Sequence, residues 1–321
     1  LDVRGLYQHL AVGAARAGAE IRLGRQVTDA RHEGDGTWQL VARVAGGQER
    51  YSASVVVDAS GFARVVQQKA GFRGPVQRFG FGAEYDVFSP GWPEDEVALV
   101  VGSDISPSGY GWVFPRGSGR TRVGVGVIRP DTDARPHDYL DRMMKATALA
   151  GELAGAQPIE MHVGYIPSEP AGGQCVYDGL VAVGDAAGHA SPLVGEGIRY
   201  AIVAGRRAGA IAGKCVRERD CSASALGRFH DEWHAEQGRF MRIAYEVNLR
   251  LARYTDTMWD ERIAVLDKLA PDLFLQALMT EFTVGWAARV VMTMPRVVTP
   301  ILRLGVGALH RWGRRPRQPS P

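Results

Sequence analysis

The sequence predicts an α/β protein: a parallel sheet, an antiparallel β region inserted into it, and a helical C-terminal region. Three observations predict it. Two short apolar runs, residues 54–58 and 180–184, are β-branched or small almost throughout, the composition of strands buried on both faces of a parallel sheet. Between them lie stretches that alternate apolar with polar residues, the period-two signature of antiparallel strands with one wet face. From Leu226 onward the apolar positions recur at helical spacing.

In chain order, residues 4–18 carry Leu6, Leu10 and Ala14 every four positions and predict an amphipathic helix. Residues 19–23 follow as a short strand. Residues 26–31, 37–44 and 49–53 alternate between glycine turns at 34–36 and 46–47, an antiparallel meander. The run at 54–58 returns the chain to the main sheet. A second β region holds strands at 78–87, 97–102, 110–114 and 121–128, a helix at 136–150 and a strand at 159–166. The run at 180–184 then leads into a long helix. No repeat of solenoid period is present.

With 45% hydrophobic and 23% charged residues the composition is that of an ordinary globular protein, neither disordered nor fibrous. A net charge of +3 gives no nucleic-acid footprint. Cys175, Cys215 and Cys221 form no CxxC and no ligand-spaced set, so neither a zinc site nor a disulfide framework is expected, and a reducing cytoplasm is the default. No signal peptide opens the chain. Residues 282–310 are the most apolar, yet Arg289, Arg296 and Arg303 interrupt every window long enough to span a bilayer. Their spacing of seven, continued by His310, places them on one face of a helix kinked at Pro295 and Pro300, packed on a core or lying at a membrane surface. Residues 311–321, with Arg311, Arg314, Arg315 and Arg317 among prolines, are read as a solvated, disordered basic tail, with anionic lipid as the alternative contact.

The chemistry concentrates in residues 179–198, GLVAVGDAAGHASPLVGEGI. A buried strand ends at Gly184, one acid, Asp185, stands at its carboxyl end, and a Pro/Gly-rich loop enters a helix near Gly195. A carboxylate there can accept hydrogen bonds from sugar-alcohol hydroxyls. Gly195 and Gly197 let backbone N–H groups approach a ligand, and the helix N-terminus favours negative charge. An ordinary strand-loop-helix junction with Asp185 as a cap is the competing account; Gly-Asp-Ala-Ala-Gly followed by Pro-x-x-Gly-x-Gly argues against it.

This segment resembles the second FAD motif of glutathione-reductase-type flavoproteins, in the form used by flavin monooxygenases, halogenases and geranylgeranyl reductases. The resemblance implies that Asp185 meets the ribityl chain while Gly197 and Ile198 approach the flavin ring. Val57-Asp58-Ala59-Ser60-Gly61 is similar to the middle motif, where the chain rejoins the nucleotide-binding sheet. Arg4 matches an arginine that such reductases place near the FAD phosphates, and Val27 a strand position beside the adenine. No GxGxxG stands upstream of Asp58, so the chain is expected to be truncated, without the first βαβ unit of the FAD site.

The more discriminating motif is Pro107-Ser-Gly-Tyr110-Gly-Trp112-Val-Phe114-Pro115. On a strand Tyr110, Trp112 and Phe114 share a face and make an aromatic wall, suited to a long polyprenyl chain or to covering a sheet core. PxxYxWxFP is similar to the substrate-domain signature of geranylgeranyl reductases, and the whole resemblance spans residues 4–213. It implies an FAD-dependent enzyme that saturates isoprenoid double bonds of a prenyl lipid, cytoplasmic with possible peripheral membrane contact. NAD(P)H and a ferredoxin-type protein stand as alternative electron donors. Under it the chain divides into the remainder of the FAD domain at 1–70, a β-rich substrate domain at 71–175, the return of the FAD domain at 176–221, and a helical region at 222–310. A flavin monooxygenase or halogenase, and a cofactor-free lipid-binding remnant, are the competing classes. Among the remaining residues, His189 is read as a proton relay or a loop cap, Glu196 as a helix-dipole partner, and His230 with His234 as no metal site, since Asp231 and Glu232 complete no metalloprotease pattern. The residues name no catalytic acid.

Overall fold

The computed structural model describes residues 2–145, 149, 151–169 and 173–293. The chain opens with helix α1 (Val3–Arg16), whose N-cap Asp2 accepts from the Gly5 N–H at 3.1 Å. A three-stranded antiparallel sheet follows, β1 (Gln26–His32), β2 (Trp38–Val44) and β3 (Gly47–Ala53). Its Trp38 is fully buried and packs with Ala30, Val66 and Leu180, which fastens the meander to the parallel strands. The Trp38 indole donates to the Asp178 carbonyl at 3.1 Å, and a Cβ on Gly179 would stand 2.6 Å from its nitrogen. With φ at +61° as well, position 179 has room and conformation only for glycine.

Strand β4 (Val56–Asp58) leads through a 3₁₀ turn at Gly61–Ala63 into a short helix α2 (Val65–Lys69). The chain then builds a five-stranded antiparallel sheet from β5 (Phe79–Phe88), β6 (Ala98–Val100), β7 (Tyr110–Gly117), β8 (Arg120–Arg129) and β9 (Gln157–Pro167), in the order β6-β7-β8-β5-β9. One face is sealed by helix α3 (Pro136–Met144), which begins on a proline suited to a first helical turn and presses Leu140 and Met143 onto Ala83, Val113, Val123 and Val125. The opposite face carries Tyr110, Trp112 and Phe114.

A hairpin strand β10 (Val176–Tyr177) precedes β11 (Leu180–Ala182), which pairs in parallel with β4 in the register Leu180↔Val56, Val181↔Val57, Ala182↔Asp58. The two apolar runs therefore do meet as neighbouring parallel strands. After β11 a 3₁₀ turn at Gly184–Ala187 and an irregular loop lead into α4 (Ile198–Glu218). Helices α5 (Ala223–Trp233), α6 (Arg239–Leu251), α7 (Asp256–Leu266), α8 (Pro271–Leu278) and α9 (Val284–Thr293) complete the described chain. The small residues Ala204, Ala208 and Ala212 let α4 lie close to the parallel strands and to Leu226, Phe229 and Trp233 of α5.

Several expected elements differ. Residues 19–23 form no strand: the segment is irregular and exposed. The helix expected at 136–150 ends at Met144. Helix α4 starts at Ile198 rather than near Gly195, because Gly195 has φ +69°, outside the right-handed helical region. Helix α2 has no counterpart among the expected elements. The amphipathic pattern through Arg296, Arg303 and His310, and the basic tail, lie outside the described residues. Among the described residues no helix is long and apolar enough to cross a membrane.

Candidate active site

The loop after β11 is built to hold a ligand rather than to satisfy itself. Gly184 takes φ +58° and packs against Ala201 of α4, turning Asp185 out of the sheet. The half-buried Asp185 carboxylate meets no donor among the described residues, and burial alone pushes its pKa up. A Cβ on Gly197 would come within 3.1 Å of Asp185 Oδ1, so the glycine keeps the space beside the carboxylate open. Gly195 lies under Ile166 of β9, 3.1 Å from where its Cβ would be. Gly197 is the N-cap of α4, with no side chain capping the helix and no acid in its first turn, which leaves the positive end of the dipole uncompensated by its own residues. A lone carboxylate, open glycines and free helix amides together fit a ligand with several hydroxyls and an electron-rich ring edge, which is what a flavin offers.

The aromatic wall stands against this loop. Tyr110 donates its phenol to the Val194 carbonyl at 2.6 Å, and burial raises that phenol to about 12. Ring centroids are 5.8 Å apart for Tyr110 and Trp112, and 6.5 Å for Trp112 and Phe114. The Trp112 indole lies over glycines of the neighbouring strands: a Cβ on Gly126 would approach it to 3.3 Å and one on Gly82 to 3.5 Å, while one on Gly124 would fall inside the ring system. Its Nε1 donates to Glu84 at 3.2 Å. The repeated Phe-Gly-Phe-Gly at 79–82 and Val-Gly-Val-Gly at 123–126 are the sequence signal for this seat.

The loop is also tied to the C-terminal helices, which residue patterns did not show. Ser191 Oγ and Thr280 Oγ1 are 2.7 Å apart; Glu196 is bridged by Arg199 at 2.8 Å, and Arg199 donates to the Met279 carbonyl at 2.8 Å. Glu196 is thus engaged in an ion pair. His189 is buried and stacked on Trp233 at 3.9 Å, and burial, then His234, His230 and Arg73, lower its pKa to about 3. It stays neutral, which disfavours its use as an acid.

Asp58 and Gly61 lie beside this loop, with Val183 N donating to the Asp58 carbonyl at 3.0 Å and the 3₁₀ turn at Gly61–Ala63 packed against that at Gly184–Ala187, whereas Arg4 and Val27 sit on α1 and β1. The buried Asp58 carboxylate accepts from Ser60 N at 3.1 Å, from Ser60 Oγ, from Gln67 N at 3.0 Å and from Gln67 Nε2 at 3.3 Å, so its lone pairs serve the β4–α2 turn. Gly61 has φ +66° with open space where a Cβ would be. Arg4 is exposed on α1, and Val27 is half-buried on β1. Asp86, Glu160 and His162 bring ligand atoms within 4.8 Å of one another, but Arg122 already holds Asp86 at 2.8 Å, making this an ion-pair cluster.

These features set a loop with room for a hydroxyl-rich ligand beside an aromatic, glycine-floored sheet. Residues 82–166 match the model of the geranylgeranyl reductase catalytic domain. The chain is 30% identical over 318 residues to digeranylgeranylglycerophospholipid reductase 2 of Methanopyrus kandleri, covering 93% of this chain and 76% of that protein. A geranylgeranyl bacteriochlorophyll reductase-like protein of Thermoplasma acidophilum superposes with a TM-score of 0.80 at 24% identity, over 92% of this chain and 73% of that one. A flavin-dependent brominase gives 0.64 at 18% identity over 95% and 74%, a likeness of fold alone. The chain belongs to the geranylgeranyl reductase family, and a flavin is the cofactor its relatives and fold imply.

Proposed function

We propose that this chain carries the substrate sheet and half of the FAD site of a reductase that saturates isoprenoid double bonds of a prenyl glycerophospholipid. One observation carries the reading: the Tyr110 phenol joins an apolar aromatic wall to the loop headed by the unpartnered Asp185 carboxylate. An alkene chain offers apolar surface and no polar handle, so recognition rests on contact with rings and on exclusion of water. Trp112 and Phe114 supply that surface, and the glycines beneath hold it flat. Asp185 receives the ribityl hydroxyls, while Gly195, Gly197 and the amides from Ile198 onward face the flavin ring. When bound, reduced FAD supplies the hydride for one alkene carbon. Tyr110 holds the loop against the sheet and, with a phenol raised to about 12, keeps its proton at neutral pH. Residues 1–70 and 176–221 serve the cofactor and residues 71–175 the lipid.

The test is mass spectrometry of a geranylgeranyl glycerophospholipid after anaerobic incubation with FAD-loaded, chemically reduced protein completed by any upstream segment. A gain of two hydrogens per double bond, lost in Trp112→Ala, is expected. No gain with flavin bound and reduced overturns the assignment and points to oxygen-dependent chemistry.

A further inference from the structure

Behind the flavin-type loop, between the two segments that join the five-stranded sheet to the rest of the chain, lies a small cleft. Its walls include Arg73 and Glu169 from those segments, His189 from the loop, and His230, Trp233 and His234 from α5 and the turn that follows it. The function argued above uses none of these side chains.

Its polar groups are out of balance. Glu169 is the one carboxylate in the lining, and it is shared among the buried Arg64, Arg73 at 3.0 Å and the Gln77 N–H at 3.2 Å. Two guanidinium groups thus face a single negative charge. Arg73 Nη1 is buried with no partner among the described residues, and so is Nδ1 of His189, a residue only 4% exposed. An unpaired buried polar atom is costly, and with the imidazole proton on Nδ1 both atoms are donors that call for an acceptor. The electrostatics agree: Arg73 is depressed by burial and then by Arg64, and His189 by burial and then by His234, His230 and Arg73. A cation would add to this surplus. Nor is a metal indicated, since among the described residues no three of His189, His230, His234 and Cys175 bring their ligand atoms within 4.8 Å of one another.

We propose that this cleft is an oxyanion site for a phosphate group, with Arg73 Nη1 and the His189 ring N–H as its buried donors and His230 and His234 along its wall. Planar guanidinium donors and imidazole N–H groups are the usual partners of phosphate oxygens. The phosphate belongs either to a phospholipid headgroup or to free inorganic phosphate. In the first case the proposal rests on the prenyl-phospholipid reading and adds a headgroup seat to it; in the second it stands alone.

The experiment is thermal unfolding of the full chain, without flavin and without any alkene, at constant ionic strength. Inorganic phosphate is compared with chloride, and a short-chain saturated phosphatidylglycerol with the matching phosphate-free diacylglycerol. Phosphate, the phospholipid or both are expected to raise Tm, with apparent affinity about tenfold lower in Arg73→Met and in His189→Gln, each losing one charge-assisted or buried hydrogen bond. A response to the phospholipid but not to diacylglycerol assigns the headgroup; a response to inorganic phosphate alone assigns the free ion. No response to either, or a response of the same size in both variants, overturns the site. Because no reduction is measured, failure here leaves the reductase reading untouched, and failure of that reading leaves this one.

Discussion

Helix α1 and the five-stranded sheet are both amphipathic in sequence, yet they end in opposite situations. In the sheet, Val113, Val123 and Val125 are fully buried beneath Leu140 and Met143 of α3. In α1 no residue is buried, Tyr7 is 60% exposed and Leu10 45%, and the segment that follows leaves Leu23 80% exposed. Strand β4 shows the same asymmetry, with Val57 42% exposed between the buried Val56 and Asp58. The difference teaches that periodicity tells which side chains seek a core, while stability depends on whether a second surface meets them. Most helical stability in proteins comes from such packing rather than from propensity.

The comparison breaks most sharply at the sheet. Leu140→Ala is expected to cost about 2–5 kcal/mol by urea unfolding, as a cavity in a sealed core does. Gly124→Ala drives a Cβ into the Trp112 indole; a loss of about 1–3 kcal/mol with a changed near-ultraviolet tryptophan signal is expected, and an unaltered signal would mean the indole is not seated there. His189 binds protons more weakly folded than unfolded, so stability should fall as pH drops from about 6.5 toward about 3. His189→Phe removes that component, which the pH dependence of Tm shows directly. Asp185 has the opposite sign for an acid. Burial holds its folded pKa above the usual aspartate value, so stability is greatest below that value and is lost as pH rises through the folded one. Asp185→Asn should therefore stabilise the flavin-free chain at neutral pH while weakening flavin binding, a crossing that a cap residue would not give. Leu10→Ala on α1 should change stability by less than about 0.5 kcal/mol; a larger loss would show that α1 is packed in solution.

What could be read beforehand follows from how local each signal is. The parallel pairing of β4 with β11 was legible from two short apolar runs, although only β11 is buried on both faces and β4 leaves Val57 exposed. The wall of Tyr110, Trp112 and Phe114 was legible because strand side chains alternate. Residues 19–23 misled, since a short apolar stretch looks the same with or without a neighbouring strand. The place of Asp58 followed from a motif; only the fold shows Gln67, nine residues on, returning to donate to its carboxylate. The Arg64–Glu169–Arg73 cluster joins residues about a hundred positions apart, and nothing local announces it. Asp185 sits between these cases, its place set by a motif and its isolation visible only in three dimensions.

The seat beneath Trp112 is floored by glycine. Gly82, Gly124 and Gly126 have no side chains to trim, so the floor is already as low as a polypeptide permits. On the proposed reading, the room for a lipid over this seat grows by shrinking the indole itself, and a side chain at Gly124 or Gly126 displaces the ring. Selection for longer or bulkier chains, natural or in the laboratory, should accordingly act at position 112 and leave Gly124 fixed.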